Sequence, residues 1–88
     1  MTLKDLLRKC RNGDLLLNVT ALAYFKEDKS YYSFRTLCNT YCEEVQVKDY
    51  TKQFSEEELA LEVKAWAIDD NILWIDVVEW ITFSKEES

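Results

Sequence analysis

The sequence predicts an α+β domain: an N-terminal helix packed on a small antiparallel sheet of two hairpins, with a short helix between the hairpins. Three observations carry this reading. Residues 2–12 place apolar side chains at helical spacing behind a capping signal. Two pairs of segments, 14–24 with 30–38 and 62–68 with 72–78, alternate in hydropathy around polar turns. Between them, Ser55-Glu56-Glu57-Glu58-Leu59 repeats the S/T-x-x-E signature of a helix start.

In the first segment, Thr2 and Asp5 form a capping-box pattern, and Leu3, Leu6, Leu7 and Cys10 fall on one stripe. Arg8, Lys9 and Arg11 crowd the last turn, where cations complement the helix dipole. Asn12-Gly13, with the only glycine of the chain, reads as a left-handed stop. In the first strand, Leu15, Leu17, Val19 and Ala21 make one wholly apolar face. Leu16, Asn18, Thr20 and Leu22 make a mixed one. Lys26-Glu27-Asp28-Lys29 is a polar turn. On the return strand, Tyr32, Phe34, Thr36 and Cys38 share one face, and Tyr31, Ser33, Arg35 and Leu37 the other.

Residues 39–55 admit two readings. Glu43–Tyr50 alternates like a strand with Val45 and Val47 inward, and fits a loop plus short helix equally well. The Ser55 signature places a short helix over 55–61. In the second hairpin, Val63, Ala65 and Ala67 are expected opposite Trp66 and Ile68. Leu73, Ile75 and Val77 oppose Ile72, Trp74, Asp76 and Val78. A three-residue turn at Asp69-Asp70-Asn71 would set Trp66 across from Trp74; a two-residue turn would separate them. Glu79–Phe83 is placed to extend the last strand. Residues 1–83 then form one domain, and 84–88 a polar tail.

Composition restricts the chemistry. The chain has 88 residues, 48% hydrophobic and 32% charged, with no His and no Pro. That is too apolar for disorder, and no run approaches the roughly 18 apolar residues of a membrane span. With no signal-peptide pattern at the N-terminus, a cytoplasmic protein without membrane association is expected. Without histidine, the commonest general base and metal ligand are missing, and no Ser-His-Asp or Cys-His pair can form. One glycine cannot build a phosphate loop. Cys10, Cys38 and Cys42 read as free, buried thiols. Adjacent acids such as Glu43/Glu44 and Asp69/Asp70 lack the alternating oxygens of a calcium loop. Asp76, between apolar neighbours, is expected on an outer face or sheet edge. No catalytic residue, metal or cofactor is therefore expected, and the chain reads as non-enzymatic.

The net charge of −6 is unevenly distributed: residues 1–42 hold seven bases and four acids, residues 43–88 four bases and thirteen acids. An acidic chain repels phosphate, so direct nucleic-acid binding is not expected. The acidic half suggests instead an electronegative face for a basic protein, with Glu43, Glu44, Asp49, Glu56, Glu57, Glu58 and Glu62 as contact candidates. Large aromatics on both sheet faces, Tyr31 with Trp66, Trp74 and Trp80, are candidates for an exposed patch, since Trp and Tyr are frequent binding anchors.

The opening Met1-Thr2-Leu3-Lys4-Asp5-Leu6-Leu7 and the ending Leu61-Glu62-Val63-x5-Asp69-x3-Leu73-x-Ile75-x-Val77 resemble small prophage and mobile-element proteins of Gram-positive gut bacteria. In size, acidity and helix-first order the chain also resembles small phage anti-CRISPR proteins that block Cas9 by mimicking DNA. These resemblances imply a binding protein that inhibits a host nucleic-acid enzyme, its acids replacing phosphates. The alternative is an assembly module, monomer or homodimer, that self-associates through an aromatic sheet face or edge carrying Trp66, Trp74 or Trp80.

Overall fold

The computed structural model describes residues 1–82. Local signals place the helices. Thr2 caps α1 (Leu3–Lys9): its hydroxyl accepts from Asp5 N–H at 3.2 Å, and the Asp5 carboxylate accepts from Thr2 N–H at 3.1 Å. Ser55 caps α3 (Glu56–Leu59) in the same reciprocal way with Glu58. Between them lie a 3₁₀ turn (Val47–Asp49) and α2 (Tyr50–Gln53). Residues 39–55 are therefore loop plus short helices. Val45 and Val47 do point inward, and Gln46 makes one isolated bridge to Leu16.

α1 is shorter than its pattern. It ends at Lys9, because Cys10 is already extended, and no glycine has positive φ. Gly13 is thus not a left-handed stop. Its missing side chain leaves room for Lys48, whose Cβ would lie 3.1 Å from a Cβ added there.

The strands are β1 (Leu16–Phe25), β2 (Ser30–Cys38), β3 (Glu62–Asp69) and β4 (Ile72–Thr82). They form one sheet in the order β2-β1-β4-β3. Both expected hairpins are present, but the sheet is mixed and not wholly antiparallel: β1 and β4 pair in parallel at its centre. Residues 39–61 carry the chain from one edge of the sheet to the other, so the second hairpin enters with β4 beside β1. This puts the two strands with the most apolar helix-side faces in the middle: Leu17, Val19, Ala21 and Ala23 on β1, and Leu73, Ile75 and Val77 on β4, all buried. Leu3, Leu6 and Leu7 of α1, with Val45, Val47, Phe54 and Leu59, complete a core on that one face.

Four irregularities in register redirect side chains. On β2 they place Arg35 opposite Ala21, on the helix side and not with Tyr31 and Ser33. On β3, Lys64 is the extra residue between the pairs Val63–Val77 and Ala65–Asp76. Val63 therefore joins Trp66 and Ile68 on the helix side, while Ala65 and Ala67 face away. The turn of the second hairpin has two residues, Asp70 (φ 51°) and Asn71 (φ 64°), the left-handed pair that matches strand twist. Trp66 accordingly pairs with Ile75, and Trp74 with Ala67, which sets the two indoles on opposite faces.

β4 reaches Thr82, so the expected extension holds through that residue; Phe83 and the tail lie outside the described residues. No helix among the described residues is long and apolar enough to cross a membrane. Eleven residues of β4 span about 36 Å. The short helices cover only part of that length, and among the described residues none lies on the other sheet face.

Candidate functional site

The seven acidic candidates sit on several elements. Glu43 and Glu44, both exposed, line a cleft of about 490 Å³ with Tyr41, Cys42 and Ile72 at the start of β4. Asp49 ends the 3₁₀ turn, half-buried. Glu56 and Glu57 are exposed in the first turn of α3. Glu58 serves as the partner in the Ser55 capping box and lies 3.8 Å from Arg35. Glu62 pairs with the Met1 ammonium at 3.1 Å. Two of the seven are thus engaged within the fold, and the rest are spread over separate elements.

Arg35 and Glu79, to which the sequence alone assigns no role, form a forked ion pair on the helix side. Arg35 Nε donates to both Glu79 carboxylate oxygens, at 3.1 and 2.9 Å, and its Nη2 donates to Oε1 as well. The pair crosses β1 above Ala21, whose small side chain leaves the space. The fork geometry of guanidinium on carboxylate, with Glu58 close by, holds the Arg35 pKa above its ordinary value. A lone arginine in an aromatic strand was the only available signal. Its partner depends on an irregularity that alternation does not reveal.

The three tryptophans occupy three places. Trp80, with Phe25 and Phe34, forms an aromatic cluster near the ends of β1 and β4, its ring 5.9 Å from each. Trp74 is on the opposite face, half-buried, 6.3 Å from the Tyr41 ring. Tyr31 shares that outer face with Tyr24, 4.7 Å away, and Lys64 Nζ lies 5.0 Å from its ring. Asp76 is there too, opposite Thr20 on a central strand and not at an edge.

Trp66 faces the flank of α1. It lines a groove of about 440 Å³ with Leu6, Cys10, Leu15, Ile68 and Leu73, and Lys9 and Arg11 stand at its rim. Trp66 is 50% exposed and Ile68 54%, although both belong to the helix side. The cause is their position on β3, an outer strand that α1 only partly overhangs. Beside the groove runs the strand edge. Met1 to Leu3 close its first part: Val63 N–H donates to the Met1 carbonyl at 2.9 Å, and Leu3 N–H to the Leu61 carbonyl at 2.8 Å. Beyond Val63, no described residue pairs with that edge.

The cysteines are free thiols, but only Cys38 is buried; Cys10 is half-buried and Cys42 exposed. Burial pushes the Cys38 thiol up to about 11, with nearby Glu43 adding to the effect. Among the described residues, no group of three or more Cys, Asp or Glu is placed to hold a metal ion.

No protein-family model, curated protein or solved structure matches the chain.

Proposed function

We propose that this chain is a non-enzymatic protein-binding module whose contact surface is the β3 edge with the adjoining α1 groove. The observation that supports this is the juxtaposition of an open strand edge with Trp66 and Ile68, two half-exposed apolar side chains on a shared groove. Strand addition uses these two elements together: main-chain hydrogen bonds supply affinity, and pockets for alternate side chains supply selectivity. An aromatic anchor such as Trp66 is a frequent centre of binding energy.

A second reading follows the acidic half: a phage-type protein that occupies a basic host enzyme through its carboxylates. Glu43, Glu44, Glu56 and Glu57 favour it, since all four are exposed. Its contacts would weaken with salt, whereas strand addition at an apolar groove would not.

The test is affinity capture from a bacterial lysate with the native chain, Trp66→Lys and the double variant Glu56→Gln/Glu57→Gln, at low and high salt. A specific protein retained at high salt by the native chain and lost with Trp66→Lys supports the edge reading. A basic protein lost at high salt or with the glutamine variant, and indifferent to Trp66→Lys, replaces it with the acidic reading.

A further inference from the structure

The open part of the β3 edge has defined limits. At one end Met1 pairs with Val63, so the vacancy starts at Lys64. At the other end the chain turns away at Asp70 and Asn71. The available stretch is Lys64–Asp70, and its midpoint is Ala67. The direction of its backbone groups follows from the turn. In a two-residue hairpin the closing pair, here Asp69 and Ile72, exchanges hydrogen bonds. Asp69, Ala67 and Ala65 therefore direct N–H and C=O toward β4, and Ile68 and Trp66 direct theirs outward. The Val63 bond to Met1 agrees, because the extra residue Lys64 resets the alternation.

From this we infer that the occupant of the edge is a second copy of the same chain, its β3 antiparallel to the first about a two-fold axis at Ala67. The inference rests on the edge reading above and names its partner. A two-fold axis perpendicular to the sheet pairs residues of the same face, so the register can shift only in steps that preserve parity. Centred on Ala67, Trp66 lies opposite Ile68 of the second copy, and Ile68 opposite its Trp66. All four outward-facing residues then exchange main-chain hydrogen bonds. The half-exposed indoles and isoleucines meet on one face as aromatic–β-branched pairs, which are favourable across antiparallel strands.

Neighbouring registers do worse. Centred on Trp66, the second copy's Asp69 falls opposite Val63, a position Met1 already holds. Centred on Ile68, Trp66 falls opposite the second copy's Asp70 in the turn, and Lys64 and Ala65 are left over. The Ala67 register also brings Lys64 against Asp70 of the second copy, a pair of opposite sign. Lys64 would leave the Tyr31 ring to make it, and an exposed cation–π contact of that kind is weak. The product is a continuous eight-stranded sheet with both α1 helices on one side.

The experiment is sedimentation equilibrium over a concentration series, at low and high salt, with the native chain, Ile68→Lys and Trp66→Lys. Circular dichroism checks that each variant is folded. The expected result is a reversible dimer of twice the 10.5 kDa chain that persists at high salt. Either lysine variant should weaken it at least about tenfold. Register is read separately in a Cys42→Ser background. Ala67→Cys should form an intermolecular disulfide on mild oxidation, because two-fold symmetry brings the same Cα within roughly 4.5–5.5 Å of its copy. Ala65→Cys, which falls opposite Asp69 of the second copy, should not.

A monomer at every concentration overturns the inference, as does a dimer that both lysine variants leave intact. Crosslinking of Ala65→Cys as fast as Ala67→Cys overturns the register. A monomer whose lysine variants lose a captured partner overturns the second copy as occupant and leaves the edge reading standing. A monomer that captures nothing through the edge removes both.

Discussion

Replacing Leu17 by alanine tests the assignment of the two sheet faces. Leu17 is fully buried on β1, a central strand, with its pair Leu73 on one side. Its N–H donates to the Val45 carbonyl at 2.8 Å, and its own carbonyl accepts from Cys38 Sγ at 3.5 Å. With the backbone held on both sides, the neighbours cannot close into the space. The loss should fall in the upper part of the range for buried Leu→Ala changes, about 3–4.5 kcal/mol. A domain of 88 residues has roughly 4–13 kcal/mol of stability in all. Leu22, on the same strand but half-buried on the face without helices, is the control. Its replacement by alanine should cost about 1 kcal/mol. Urea denaturation followed by circular dichroism reads both, with an unchanged m-value expected. The melting temperature of Leu17→Ala should fall by on the order of 20 °C. A loss below about 1.5 kcal/mol for Leu17→Ala, or an equal loss for Leu22→Ala, would refute the one-sided core.

The turn of the second hairpin needs left-handed backbone at Asp70, so Asp70→Val should destabilise by about 1–2 kcal/mol in thermal melts while Asp70→Gly stays near the native value. Because burial raises the folded-state pKa of Cys38 to about 11, its proton stabilises the native state fully below the unfolded-state value, near 9. That contribution, about 2–3 kcal/mol, should disappear as pH rises toward 11, and Cys38→Ala should lack this component when the two proteins' denaturation midpoints are compared across the window. Asp5 has the opposite sign: hydrogen bonds from Thr2 lower its pKa, so the stability it adds is complete above the unfolded-state value near 3.9 and lost as pH falls through the lower folded value; Asp5→Asn should flatten that part of the acid denaturation curve. A colourimetric thiol reagent should modify exposed Cys42 first and buried Cys38 last, in mass-resolved time courses.

Much of the local structure was legible because its causes lie within four residues. Both capping boxes are reciprocal side-chain to backbone contacts between positions three apart. The helix-side faces of β1 and β4 follow from alternation alone, and β2 runs over the predicted 30–38. Where such signals compete, the reading diverges. Asn12-Gly13 carries the composition of a left-handed stop, yet the chain has already left the helix at Cys10 and uses the glycine for its close approach to Lys48. Alternation also presumes an unbroken pleat, and one extra residue moves every later side chain to the other face. That is how Arg35 came to meet Glu79, and Val63 to join Trp66. The acidic candidates show the same limit: their concentration in one half of the chain says nothing about direction, and the fold engages Glu58 and Glu62 in ion pairs while Glu43 and Glu44 line a cleft with Ile72 at the start of β4.

Hydrophobic period and capping are written locally, so the α+β class, the starts of α1 and α3, the two hairpins and the apolar faces of β1 and β4 can be read from the chain alone. The parallel pairing of β1 with β4, the two-residue turn that parts Trp66 from Trp74, and the open edge beside the α1 groove emerge only in the folded chain. Those features depend on which residues far apart in the chain meet, and a strand's own alternation is the same whichever neighbour lies beside it.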